Sequence, residues 1–238
     1  AVGLKGKEEK VKRDKGRKVS TDLFLLVSEN KYICSPNNDN FTTMGTYINI
    51  GNAGFQSSRR GEYVDKSGLI SIINATLLTE WRFICITRCR RFGKSMAAKM
   101  LCAYYDRSCD SRSLFADLEI AHDPSFEEHL NKYPGIYLDM TSFVTRFHDD
   151  DIVTLIEKEL KEDILAVKPT DDLMGCLIRI AEATGEQFFV IIDEWDAICR
   201  EFKAGSTAMD KYVNWLRRMF KEVNASRVFA GVYMTGIL

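Results

Sequence analysis

Arg90-Arg91-Phe92-Gly93-Lys94-Ser95, just downstream of the apolar run Phe83-Ile84-Cys85-Ile86, is the stretch on which the reading of this chain turns. The apolar residues predict a strand over 81–87. Gly-Lys-Ser then opens a helix over 95–106, marked by Met96, Met100, Leu101 and Tyr104 at helical spacing. Strand, tight basic turn and helix together make a phosphate cradle. Backbone N–H groups of the turn and of the helix N-terminus point at an anion, and the helix dipole favours it. Lys94 sets a point charge on the terminal phosphates, and the Ser95 hydroxyl suits Mg²⁺. Arg90, Arg91, Phe92, Gly93 and Met96 complete the candidate binding set. The match to G-x-x-x-x-G-K-[ST] is partial, because Arg88 stands at the first glycine position. An ordinary basic surface turn is the competing reading. Arg82, Arg88, Arg90 and Arg91 crowd the approach, and arginine prefers planar, bidentate contact with phosphate or carboxylate.

Phe188-Phe189-Val190-Ile191-Ile192 is followed by Asp193-Glu194. A continuous apolar run of this length reads as a strand buried on both faces in a parallel sheet. Ligands of such sheets sit beyond the carboxyl ends of the strands, where the two acids fall. Asp193 is assigned to the metal and Glu194 to the general base that polarises water. A solvated strand end, or a cap on the next helix, is the alternative. Cradle and metal acid are complementary needs of one reaction, and each raises the weight of the other.

Other elements follow from pattern. Tyr63-Val64-Asp65-Lys66 predicts a short strand and turn, and Leu69 to Ile73 a helix. Residues 107–133 read as loop with a short helix near 125–131. Ile136 to Met140 is a strand. Asp149 to Asp151 cap a helix with Ile152, Leu155, Ile156, Leu160 and Ile164 on one face. A second helix, capped over 170–172 and stopped at Gly185, turns Leu173, Leu177, Ile178 and Ala181 inward. Met209, Tyr212, Val213, Leu216 and Phe220 mark a further helix, and 227–234 a last strand ending in Thr235-Gly236. Thr235 is placed to sense the γ-phosphate or orient water, with a plain glycine turn as the alternative. This alternation predicts an α/β fold, a mostly parallel sheet with helices on both faces.

With 238 residues, 45% of them hydrophobic, the chain can build one substantial core. The formal net charge is −1, but residues 1–19 carry a local +5 and leave −6 on the remainder. A mildly acidic body argues against extended, nonspecific nucleic-acid binding. The seven cysteines have no C-x-x-C pair and the three histidines no ligand spacing. Buried, reduced thiols in a cytoplasmic protein are expected, rather than a zinc site. No apolar stretch is long enough to span a membrane. The first part of residues 1–43 is Lys-rich without apolar periodicity and Pro36 to Asn40 is a turn or coil cluster, so 1–43 is read as a disordered or non-native extension, with Met44 as a natural start. The body is 44–238, expected to be a fragment lacking its last strand and lid.

Met44-Gly45-Thr46-Tyr47, Tyr63-Val64-Asp65-Lys66-Ser67, Arg90 to Ser95, Ile192-Asp193-Glu194-Trp195-Asp196 and Thr235-Gly236-Ile237-Leu238 together resemble the predicted AAA-ATPase-like proteins of bacteria. The resemblance covers residues 44–238. Members of that family also replace the first loop glycine and carry the Arg-Arg-Phe-Gly-Lys-[ST] form, whereas Cys89 stands where many of them carry proline. The resemblance implies a P-loop NTPase of the additional-strand (AAA-like) class, with the Thr235 strand between the Lys94 and Asp193 strands. It also implies ATP rather than GTP. Longer members often continue into a restriction-endonuclease-like domain, so DNA is a partner only through a domain after Leu238.

Three functions compete at this stage. The first is Mg²⁺-dependent ATP hydrolysis, with Lys94, Glu194 and Thr235 as the catalytic set and Ser95 and Asp193 on the metal. The second is a nucleotide-dependent switch or interaction module with little or no hydrolysis, acting with a missing C-terminal, nuclease-like domain; a homo-oligomer or a protein partner is expected besides ATP. The third is a DNA-associated protein that uses the arginines as a phosphate patch. Arg90 and Arg91 are open to either role, phosphate contact in cis or a partner-facing patch.

Overall fold

In the computed structural model, which describes residues 45–146, 151–164, 172–221 and 223–237, the run ending in Asp193 forms the strand Phe188–Asp193, buried along its whole length. In chain order the strands are β1 (Phe83–Thr87), β2 (Gly135–Asp139), β3 (Phe188–Asp193) and β4 (Phe229–Gly236). They pair in the order β1-β4-β3-β2, and every pairing is parallel. Asp139 lies in register with Asp193, and Thr87 with Gly236, so all four strands end along one edge. The strand bearing Thr235 separates the lysine strand from the acidic one.

Pleating sends alternate residues of β3 to opposite sides. Phe188, Val190 and Ile192 join one core with Leu138 and Val232, and Phe189 and Ile191 join the other with Tyr233. The first core is covered by α6 (Met140–Arg146), α7 (Ile152–Asp163), α8 (Leu173–Thr184), α9 (Ala197–Glu201), α10 (Thr207–Lys221) and α11 (Ala225–Val228). The second is covered by α1 (Ala53–Arg59), α2 (Gly68–Asn74), α3 (Lys94–Tyr105) and the short α4 (Arg112–Phe115) and α5 (Phe126–His129). Tyr105 stacks on Phe189 with ring centroids 3.9 Å apart, which docks the end of α3 on the sheet centre.

The expected α/β architecture, with its parallel sheet and helices on both faces, is present. Several details differ from expectation. Residues 63–66 form no strand; the segment is irregular, with Asp65 accepting the N–H groups of Ser67 and Glu119 and Lys66 donating to the Phe92 carbonyl. Helix α1 was not anticipated: its only fully buried side chain is Phe55, too little to write a periodicity. Helix α10 turns Ala208, Tyr212, Trp215 and Met219 to the core, whereas the expected Met209, Val213, Leu216 and Phe220 are half-buried flanks. The region 107–133 holds α4 and a 3₁₀ turn at Glu119–His122 besides the expected short helix. Residues 1–43, Met44, and the caps expected at 149–150 and 170–171 lie outside the described residues. Of the described cysteines, Cys102 and Cys176 are buried, but Cys85 and Cys89 are exposed.

Candidate functional site

β1 ends at Thr87, and the chain is still tied to the sheet one residue later, where the Arg88 N–H donates to the Gly236 carbonyl at 3.2 Å. It then turns back through 89–93 to start α3. The turn uses two left-handed residues, Arg91 at φ 68° and Gly93 at φ 73°. Left-handed backbone is routine for glycine but strained for arginine, and such outliers concentrate at functional turns. Gly93 is also the N-cap of α3 and supplies no side-chain acceptor, so the first N–H groups of the helix are left to face the cleft. Lys94 is 6% exposed and its ammonium donates to the carbonyls of Arg88 (3.0 Å) and Cys89 (3.2 Å). The turn is therefore closed around its own lysine.

Opposite the turn, at the end of β3, a second set of groups converges. Lys94 Nζ lies 3.7 Å from Glu194 Oε1. Glu194 also adopts positive φ, 54°, and its other carboxylate oxygen accepts from Arg200 at 2.8 Å. Arg200 is one turn along α9 from Asp196 and pairs with it as well. Burial alone would lower the Arg200 pKa, but its hydrogen bond with Asp196 and the carboxylate charges outweigh that and hold it above the ordinary value. Asp193 is buried and accepts from two hydroxyls, Thr235 Oγ1 and Tyr137 Oη, the latter at 3.3 Å. Burial, with Asp193 beside it, pushes the Tyr137 phenol far up and keeps it a donor. Thr235 Oγ1 also accepts the backbone N–H of Glu194 at 3.1 Å. One hydroxyl on β4 thus fixes both acids on β3.

These groups line a cleft of about 650 Å³, within the range of small-molecule sites. Arg90, Arg91, Gly93, Lys94, Ser95 and Met96 form one wall, and Asp193 and Glu194 the other. Two of the expected residues sit elsewhere. Thr235 is wholly buried beneath the acids, and the Phe92 side chain points into a neighbouring hollow. Arg82 departs further: it lies at the opposite end of β1, buried, donating to the carbonyls of Thr79, Ser226 and Phe229. That arginine ties chain segments together and is no part of an approach to the cleft.

The cleft also contains residues not singled out from the sequence: Tyr137 and Asp139 at the end of β2, Lys99 on α3, and Arg200. Asp139 was accessible by the strand-end rule applied to Asp193, and Lys99 by its i+4 relation to Ser95. Five basic side chains against three acidic ones line the cleft, a balance suited to a polyanion. Among the described residues no cluster of three or more His, Cys, Asp or Glu is arranged to enclose a metal ion. Lone Asp193, with lone pairs to spare after two hydroxyl contacts, fits a hard cation that takes most of its oxygens from phosphate and water. None of the described helices is long and apolar enough to cross a membrane.

A search of the curated proteins finds no match. A family model described as Predicted AAA-ATPase matches residues 49–238, a span that contains both walls of the cleft, and the chain belongs to this AAA-ATPase-like family.

Proposed function

We propose that this protein binds ATP with Mg²⁺ and hydrolyses its β–γ phosphoanhydride bond, releasing ADP and phosphate. Family membership points to nucleotide use in general; the finer reading rests on the cleft. The observation that carries it is the 3.7 Å approach of Lys94 to Glu194 across the strand end, with the α3 N-terminus on one side and Asp193 on the other. Lys94 rests against two carbonyls and Glu194, and a phosphate entering the cleft would give its ammonium a charge-assisted partner.

In this reading the N–H groups at Gly93–Ser95 and the ammonium of Lys94 hold the β- and γ-phosphates. Arg90 and Arg91 face the same cleft and add charge to that wall. Met96 lines the cleft beside them. Ser95 and Asp193 would hold the metal, which when bound neutralises charge shared between the β- and γ-phosphates. Glu194 orients the attacking water and takes its proton, and Arg200 fixes which way the Glu194 carboxylate faces. Thr235 acts through the acids it holds, as a positioning residue. Most of the rate enhancement in such a site comes from placement and preorganised charge.

The test pairs binding with turnover. At ATP a hundred times its dissociation constant, with Mg²⁺, the folded state gains about 2.7 kcal/mol, a rise of roughly 5–10 °C in midpoint for a chain of this size. Lys94→Ala removes that rise while the ligand-free protein still unfolds cooperatively. Glu194→Gln keeps the rise and loses about 100-fold or more in turnover. Unchanged turnover in Glu194→Gln rejects Glu194 as the base, and an unchanged rise in Lys94→Ala rejects the cradle. Strong binding without turnover in the unmodified protein favours the alternative, a nucleotide-dependent switch.

A further inference from the structure

The Phe92–Gly93 peptide lies between two left-handed residues, Arg91 at φ 68° and Gly93 at φ 73°. Glycine takes positive and negative φ about equally, so sterics alone leave this peptide free to turn over. Turned one way, it shows its N–H to the cleft. Turned the other way, it shows its carbonyl, which repels an anion. The carbonyl and N–H of a trans peptide point in opposite directions, and no cis peptide occurs among the described residues. The Phe92 carbonyl accepts from Lys66 Nζ at 2.7 Å. Lys66 and Phe92 line the hollow outside the turn and not the cleft, whereas Gly93 borders both. With its carbonyl held outward by Lys66, the peptide aims the Gly93 N–H into the cleft.

The backbone on either side of Lys66 is pinned. Asp65 accepts the N–H groups of Ser67 (2.7 Å) and Glu119 (2.8 Å), and the hydroxyl of the buried Ser67 accepts the Ile120 N–H at 3.1 Å. The ammonium therefore stands at a fixed place against the turn; a Cβ added at Gly93 would lie 2.7 Å from it. A phosphate affects the two lysines of the turn differently. Lys94 exchanges the Arg88 and Cys89 carbonyls for the anion, whereas Lys66 meets a carbonyl directed away from the anion and keeps it. Resting on the phosphate reading above and deepening it, we infer that Lys66 is a positioning residue, which fixes the Phe92–Gly93 peptide with its N–H toward the triphosphate. The charge-assisted hydrogen bond to the carbonyl also polarises the peptide and makes the Gly93 N–H a stronger donor. Lys66 is exposed, so replacing it disturbs no core.

Lys66→Met keeps the length of the side chain and removes the donor, and Lys66→Arg keeps a cationic donor. A non-hydrolysable ATP analogue is titrated with Mg²⁺ into the whole chain and into both variants, and the Gly93 amide proton is followed by NMR. In the unmodified chain the analogue is expected to move that proton downfield. Lys66→Met is expected to raise the dissociation constant about tenfold and to lose the Gly93 shift. Its ligand-free melting temperature stays within about 2 °C of the parent. Lys66→Arg recovers the shift and brings the affinity to within about threefold of the parent. Unchanged affinity in Lys66→Met overturns the assignment, as does an equal loss in Lys66→Arg. Weakened binding with the Gly93 shift intact also overturns it, because Lys66 then acts only as a charge on the ligand. An unmodified chain that binds the analogue without a Gly93 shift overturns the positioning role alone. An unmodified chain that binds no analogue overturns the phosphate reading itself, and the positioning role with it.

Discussion

At the residue scale, the side chains that meet at the end of β3 are each held by more than one contact. Thr235 is the sharpest case. It is wholly buried, donates to Asp193 and accepts from the Glu194 N–H, so one hydroxyl supplies both a donor and an acceptor. Thr235→Val keeps the shape and deletes both bonds, leaving a buried carboxylate and a buried N–H each short of a partner. The expected loss is about 1–3 kcal/mol of stability, together with a higher Mg²⁺ concentration needed for half-maximal ATP turnover. Thr235→Ser restores both. A purely structural threonine would lower the melting temperature without moving the Mg²⁺ dependence, and an Mg²⁺ titration of activity separates the two. Much of this site was legible in the sequence, since Gly93, Lys94, Asp193 and Glu194 announce themselves by type and by the apolar strands before them. The hydrogen bonds of Thr235 were not: a lone Thr-Gly at a strand end carries no periodicity, and the place of β4 between β1 and β3 came from the family resemblance alone. Arg82 shows the converse error: four nearby arginines read as one patch, although a five-residue strand carries Arg82 to the far edge of the sheet.

At the element scale, α8 is the helix whose ends were written most plainly. The Asp172 side chain accepts the Gly175 N–H at 2.8 Å, and Gly185 closes the helix at φ 72° with its N–H bonded to Ala181. Asp172→Ala is expected to cost about 1 kcal/mol by leaving that N–H unpaired. Gly185→Ala is expected to cost about 1 kcal/mol through backbone strain alone, since a Cβ there meets nothing within 4 Å. Chemical denaturation of the two variants checks both figures; a neutral Gly185→Ala would show that the helix ends differently in solution. Strands β2, β3 and β4 were legible as short apolar runs because they are buried on both faces, and helices α3, α7 and α8 from apolar residues at helical spacing. Helices α1 and α4 were not, because each buries a single phenylalanine, Phe55 and Phe115. Strand β1 shows a weaker signal too: it is an edge strand, and Phe83 and Cys85 face solvent.

At the scale of the whole molecule, two cores on opposite faces of one sheet hold the lysine turn and the acid pair at a common edge. The turn belongs to the α3 side, whereas α9, which carries Arg200, belongs to the other. The segment at 62–66 pins the α3 layer through Asp65. Burial by itself would raise the Asp65 pKa, but the N–H groups of Glu119 and Ser67 outweigh it and bring it below the ordinary 3.8. A carboxyl with a lowered folded pKa adds stability above its unfolded value and loses it as pH falls through the folded one. The melting-temperature advantage of the parent over Asp65→Asn is therefore expected to be full at neutral pH and to shrink below about pH 4; an advantage independent of pH would contradict that assignment. The most direct measurement of the central claim is a crystal structure of the chain with Mg²⁺ and a non-hydrolysable ATP analogue. One triphosphate is expected against the N–H groups of Gly93 to Ser95, its γ-phosphate between Lys94 and Glu194, and the metal on Ser95 and directed at Asp193. A nucleotide bound elsewhere, or one that touches the lysine turn while the acids of β3 stay remote from its metal, would contradict it.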